Sequence, residues 1–304
     1  MMAPVSQQVS ARSLTKTLGG HWHGHYGTAP CPICQQERRK DQNALTLRDG
    51  DDRLLAHCKR SECSFHDILA AAGLASDAHH RQHHAPDPAA IARRETEQRT
   101  EARNKARIAS RLWREALTIE GTVAERYLRN RGIAGPLPAA LRLHRACRHG
   151  PSGLCLPAMI ARVDGSDLPA VHRTWIEHDG SGKANVEPSR MALGGIGGGA
   201  VRLWSGAGPL AVAEGIESSL SLASGGYVPD DAAIWAALST SGMRGLRLPE
   251  SPRDLLIAMD NDRAGQNAAY ALADRAHALG WKVSMIQPPP GRDFNDLLQS
   301  EVMA

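Results

Sequence analysis

"LLIAMDNDRAGQNAA", residues 255–269, begins as a run of five apolar residues and then places two carboxylates, Asp260 and Asp262, one residue apart. A run this short and this apolar reads as a buried strand. Asp260 then marks the carboxyl end of that strand, and period-two spacing keeps Asp262 on the same side. Two like charges at the mouth of a hydrophobic strand repel each other unless a cation lies between them.

The surrounding sequence gives that strand neighbours. "PLAVAEG" (209–215) reads as a strand, "IESSLSLASGG" (216–226) as a helix and "AAIWAAL" (232–238) as a strand. After the quoted strand come a helix over 264–280, a strand in "KVSMIQ" (282–287) and a closing helix in "FNDLLQS" (294–300). Strands alternating with helices predict a parallel sheet with both faces covered, and ligands gather at the carboxyl ends of such strands. Glu214 ends the first strand, Asp260 the third, and Asp293 follows the fourth. Helix capping explains any one of these acids, and for Asp296, at the start of the closing helix, it is the preferred reading. For Glu214, Asp260, Asp262 and Asp293 together it is not. Clustered carboxylates of this kind call for a hard, oxygen-preferring cation, Mg²⁺ or Mn²⁺.

At the other end of the chain, Cys31/Cys34 and Cys58/Cys63 form two close pairs. Between them, "NALTLR" (43–48) and "RLLAHC" (53–58) read as strands joined by the hairpin signal Asp49-Gly50. A hairpin that returns one Cys pair to the other is the geometry of a zinc ribbon, and four thiolates suit a closed structural Zn²⁺ site. His57 and His66 flank the second pair and stand as alternatives for one ligand. Cys147 and Cys155 read as small buried hydrophobes. "HDILAAAGL" (66–74) reads as a short helix ended at Gly73.

Composition changes sharply over 77–105, a His-, Pro- and Arg-rich linker passing into a solvated helix. Its His79, His80, His83 and His84 read as linker rather than metal site. Helical spacing follows from Ala106 to Ile133, then strand-like pieces in "LCLPAMIARV" (154–163) and "LPAVHRTWIE" (168–177), which predict a small β-rich unit. The glycine run "LGGIGGG" (193–199) does not open a helix in a βαβ unit, so it reads as a mobile crossover and not a phosphate loop. The expected domains are 1–76 (zinc ribbon), 77–105 (linker), 106–208 (helical and β-rich basic unit) and 209–304 (catalytic α/β unit), an α+β and α/β multidomain chain.

No stretch approaches the roughly 20 apolar residues of a membrane span, and the N-terminus lacks a secretory pattern. A cytoplasmic protein is expected. Net charge is only +4, but of 36 basic residues six are Lys. The Arg excess favours phosphate-bearing partners.

In order, "AEGIES" (213–218), "MDNDRAG" (259–265) and "GRDFNDLL" (291–298) resemble the three motifs of the Toprim fold. With a zinc ribbon ahead of them, the layout resembles the Toprim-domain DNA primases of bacteria, phages and plasmids. "GGHWHGHYGTAPCPIC" (19–34) and "VHRTWIEHDGSGKA" (171–184) extend the match. The resemblance implies template-directed synthesis of short RNA primers on single-stranded DNA by metal-dependent nucleotidyl transfer. It gives Glu214 the role of base or ligand and Asp260, Asp262 and Asp293 that of metal ligands. Arg173, Lys183, Arg190 and Arg202 would contact nucleotide or template. Ribonucleoside triphosphates, the template and a separate replicative helicase are the implied partners. The chain departs from the motifs at Ser218 and Asn295, where primases carry acids. The alternatives are a Toprim nuclease or a non-catalytic single-stranded-DNA-binding adaptor that loads a helicase. A topoisomerase is disfavoured, since Tyr227 and Tyr270 lie inside the catalytic unit itself.

Overall fold

The computed structural model describes residues 10–35, 43–50, 54–74 and 88–302. The chain divides into two units, residues 1–91 and 92–304. The His79, His80, His83 and His84 cluster and part of the expected "DGDD" turn lie outside the described residues. Among the described residues no helix is long and apolar enough to cross a membrane.

The first unit holds α1 (Ala11–Thr17), β1 (His21–Trp22), β2 (Gly27–Ala29), β3 (Leu45–Asp49), β4 (Leu54–Cys58) and α2 (Phe65–Ala71). Its four strands form an antiparallel sheet in sequence order. The core is small: Ala11 and Leu14 of α1, Leu45 and Leu47 of β3, Leu54, Ile68 and Leu69, together with Cys31 and Cys58. Ser10 and Ser64 cap the two helices by accepting from Ser13 N and Asp67 N. Gly73 ends the second at φ 75°, a left-handed conformation that glycine adopts without strain.

The second unit begins in α3 (Pro88–Glu115) and continues through β5 (Leu117–Thr118), α4 (Val123–Asn130), β6 (Leu141–Arg148), β7 (Cys155–Val163), β8 (Ala170–Trp175) and β9 (Arg190–Leu193). Strands β5 to β9 form an antiparallel sheet in sequence order. Alternation on β8 separates its two faces. Val171 and Trp175 pack with Ala109 of α3, whereas Ala170, with Ile176 just beyond the strand, joins the main core. Cys147 is buried, as expected, but Cys155 is exposed, because it opens β7 at the hairpin end opposite Arg148.

The rest comprises β10 (Val201–Trp204), β11 (Leu210–Ala213), α5 (Ile216–Ser224), β12 (Ala233–Ala236), α6 (Thr240–Gly245), β13 (Asp254–Ala258), α7 (Arg263–Ala278), β14 (Lys282–Ile286) and α8 (Phe294–Val302). Strand order is β10-β12-β11-β13-β14, with β11 to β14 parallel and β10 an antiparallel edge. Every residue of β11 and β12 is buried, as a strand covered on both faces requires.

From β11 the chain moves one way to β12, and from β13 the other way to β14. Right-handed crossovers then place the intervening helices on opposite faces. Ile216 and Leu220 of α5 and Phe294 of α8 lie in one core, Met243 of α6 and Leu272 of α7 in the other. Between β11 and β13 the sheet therefore has a topological switch point, the crevice where open α/β sheets bind ligands.

The glycine run after β9 is packed rather than loose. A Cβ at Gly194 would lie 2.7 Å from Pro169 O, and one at Gly199 2.8 Å from a Val163 methyl. Arg247 N donates to Gly198 O at 2.9 Å. These glycines serve close approach between backbones.

Candidate active site

In the first unit, the Sγ atoms of Cys31, Cys34, Cys58 and Cys63 all lie within 4.8 Å of one another. Cys34 Sγ and Cys58 Sγ are 3.6 Å apart, close to the roughly 3.8 Å edge of a tetrahedron built on Zn–S bonds of about 2.3 Å. Gln35 organises the first pair, its Oε1 accepting from Cys31 N (2.9 Å) and Ala44 N (3.0 Å). Burial opposes ionisation of Cys58, but the backbone N–H groups of Ser61, Cys63 and Arg60 outweigh it and bring the thiol down to about 6. A thiol ready to ionise among three others fits Zn²⁺. His57 and His66 are exposed and outside this group; His57 neighbours Cys58 on β4 and so faces the other side.

The second site lies at the switch point. Ala213 and Ala258 are register partners at the ends of adjacent strands, so Glu214, one residue beyond, and Asp260, two beyond, leave the sheet at the same edge. Glu214 is held by its backbone, its carbonyl accepting from Leu238 N at 2.7 Å. Burial first, then the charges of Asp260 and Asp262, push the Glu214 carboxyl up to about 7 against the pull of Arg190. Burial, Asp262 and Asp293 raise Asp260 in the same way.

Asp262 and Asp293 are also helix caps. Asp262 Oδ1 accepts from Gly265 N at 2.6 Å at the start of α7. Asp293 Oδ1 accepts from Asp296 N (2.7 Å) while Asp296 Oδ2 accepts from Asp293 N (2.9 Å), a reciprocal pair opening α8. The same-side expectation for Asp262 does not hold as framed, because β13 stops at Ala258 and the chain has already turned into α7. Capping engages one oxygen of each carboxylate, which leaves the other for a cation. Hard oxygens that raise one another's affinity for protons are a donor set suited to Mg²⁺ or Mn²⁺. Among the described residues only the four thiols are already gathered to ligating distance.

The four basic candidates separate by strand alternation. Thr174 pairs with Arg190, and Ile176 bridges to Lys183, which puts both cations on the face of β8 that meets α5. Arg190 acts electrostatically on Glu214 and Asp260, and Lys183 Nζ lies 3.3 Å from Glu217 Oε1. Arg173 is on the opposite face, 9% exposed, with its guanidinium 4.9 Å from the Trp175 ring and donating to Ala192 O. Arg202, on the β10 edge, stacks over Trp235 at 4.4 Å. Of the four, Arg190 thus acts on the acidic edge itself, and Lys183 reaches Glu217 beside it.

A family model of the Toprim domain matches residues 209–304. The C-terminal third is a Toprim domain. Residues 103–203 match a domain of unknown function, DUF7146, and no curated protein matches the chain. Among solved structures it is similar to a DNA primase domain from Pseudomonas aeruginosa, at 17% identity and TM-score 0.33, covering 57% of this chain and 54% of that one. The chain thus spans about half the length of that domain. It is also similar to the Aquifex aeolicus primase zinc-binding and RNA polymerase domains, at 12% identity and TM-score 0.43, covering 95% of this chain and 79% of that one. The primase fragment of the bacteriophage T7 primase-helicase matches at 14% identity and TM-score 0.36, over 62% of this chain and 72% of that one.

Three residues of the Toprim domain that support this edge have no marker in the sequence reading. Asn261, between the two aspartates, donates to Pro289 O and Arg292 O, both at 2.7 Å, and accepts from Gln287 Nε2 at 2.6 Å. Gly265 lets α7 approach, since a Cβ there would lie 3.0 Å from Asp260 Cβ and 3.2 Å from Asp262 Oδ1. Glu217, next to the departure at Ser218, is buried in the first turn of α5 at 6% exposure. The departure at Asn295 also has a structural account: its buried amide bridges Arg131 O (2.8 Å) and Ser221 Oγ (3.2 Å), a place where a carboxylate could not donate.

Proposed function

We propose that the protein is a DNA primase, joining ribonucleoside triphosphates into short primers on single-stranded DNA. The observation that carries this reading is the gathering of Glu214 and Asp260, whose charges act on each other, at the switch point of a Toprim sheet, with Arg190 acting on both. Glu214, Asp260, Asp262 and Asp293 would hold Mg²⁺ or Mn²⁺. When bound, such ions supply positive charge for the phosphates and lower the pKa of a bound hydroxyl. Glu214 stands as the base that takes the proton of the attacking 3′-hydroxyl or as a further ligand of the ions. That hydroxyl forms the new bond to the α-phosphorus as pyrophosphate leaves. Arg190 and Lys183 meet the phosphates from the opposite side, whereas Arg173 and Arg202 act as stacked supports.

The four cysteines would hold Zn²⁺ and so fold the first unit, whose own core is small. That unit would present a surface to the template. On this reading the domains serve as 1–76 for template, 77–105 as linker, and 106–208 with 209–304 as the synthetic core. A separate helicase would open the duplex, and the work would be cytoplasmic.

The test is incubation of the protein with single-stranded DNA, labelled ribonucleotides and Mg²⁺ or Mn²⁺, read on a denaturing gel. Short labelled products are expected. Cleavage of labelled DNA without incorporation would make it a nuclease, and DNA binding with neither reaction would make it an adaptor.

A further inference from the structure

We infer that Glu217 is a positioning residue, which binds Lys183 so that this lysine faces the carboxylate edge as a grip for the phosphates of a nucleoside triphosphate. The inference rests on the primase reading and deepens it. A charged carboxylate at 6% exposure needs partners, and two elements outside the Toprim domain supply them. Tyr127 of α4 donates its hydroxyl to Glu217 Oε1 at 2.8 Å, and Lys183 Nζ approaches the same oxygen at 3.3 Å.

The placement of these groups gives the pair a purpose beyond adhesion. Glu217 lies three residues after Glu214, in the first turn of α5, whose residues 216–222 are all buried. Fixing Lys183 to Glu217 therefore fixes it relative to the proposed base. The lysine side chain is 30% exposed, and an ammonium has three donors, so donors remain for a ligand on the open side. Arg190 acts on Glu214 and Asp260 and on Glu217 as well, which ties the Glu217–Lys183 pair to the carboxylate edge. Burial opposes the Glu217 charge, yet Lys183, its own N–H, Tyr127 and Arg190 overcome this and hold its carboxyl at about 2. The anchor is thus charged whenever a nucleotide is.

The experiment compares full-length Glu217→Gln, Lys183→Met and the double variant with wild type. Each is read for nucleotide KM and kcat in primer synthesis, and for tripolyphosphate affinity by calorimetry without template. Either single change is expected to raise KM and weaken tripolyphosphate binding about tenfold, as for loss of one charge-assisted contact, with kcat within about twofold of wild type. The double variant should be no worse than Lys183→Met, because the two act as one unit. Losses that multiply, or a fall in kcat at unchanged KM, would overturn the inference. Should Glu217→Gln fail to fold, the partly exposed Lys183→Met still decides, and wild-type tripolyphosphate affinity in it would be fatal. A wild-type protein that binds tripolyphosphate through Lys183 but makes no primers would refute the primase reading and leave this one standing.

Discussion

Asp262 has two roles that substitution can separate. Its Oδ1 caps α7 through Gly265 N at 2.6 Å, and its charge acts on Glu214 and Asp260. Asn caps a helix about as well as Asp, while Ala does not, at a cost of about 0.5–2 kcal/mol. In a folded unit the size of residues 92–304, each kcal/mol moves the melting temperature by about 2–4 °C. Asp262→Ala should therefore melt lower than Asp262→Asn by about 1–8 °C in magnesium-free buffer. Asp262→Asn keeps the cap and removes one repelling charge, so it should melt at or above wild type. Activity should follow the charge. Both variants should lose primer synthesis on the order of a hundredfold, the scale of removing one group that stabilises the transition state. The assays are thermal melting and nucleotide incorporation on the same preparations. An Asp262→Asn enzyme that primes at wild-type rates, beside an Asp262→Ala enzyme impaired only as far as it unfolds, would reduce Asp262 to a cap and sink its metal assignment.

Gly265→Ala would ordinarily strengthen a helix by up to about 1 kcal/mol, but here the new methyl meets Asp260 Cβ at 3.0 Å. It is expected to lower both melting temperature and priming; a more stable, fully active variant would show that the close approach is unimportant. Glu214 has a folded-state pKa of about 7, above the usual carboxylate value of about 4.3. Its protonated form favours the fold, so stability from this group is lost as pH rises between those values. The melting advantage of Glu214→Gln over wild type in magnesium-free buffer should therefore grow from pH 4.5 to 7.5, and a constant difference would contradict the raised pKa. The Cys58→Ser, Cys63→Ser double variant should lose its zinc by elemental analysis; a full equivalent retained would place the metal elsewhere.

What the sequence made legible was local. Cys spacing, alternating strands and helices, and acids at strand ends each follow from a few adjacent residues, and the ribbon and the parallel sheet match that reading. Choosing among the basic residues needed the pairing register. Arg173 is one position from the face that carries His172 and Thr174, and that single step sends it to Trp175 instead of Glu217. Glu217 was opaque for the same reason. Its partners, Tyr127 and Lys183, are 90 and 34 positions away, and only the approach of α4 and of the segment after β8 to α5 gives the buried charge its partners. The cap roles of Asp262 and Asp293 were available in principle, since both precede helices, but the repulsion argument set them aside. Capping engages only one oxygen of each carboxylate and leaves the other free, so the two readings do not compete.

Asn261 has a consequence for how the edge receives an ion. Its side chain fastens the segment leading to Asp293 onto the loop that carries Asp260 and Asp262. Loops that bring ligands from separate strand ends normally fluctuate independently, and an arriving cation must then restrict each of them. Here amide hydrogen bonds have already removed much of that freedom during folding. A divalent ion would meet carboxylates whose supports move as one body, so more of its binding free energy would remain for holding the phosphates.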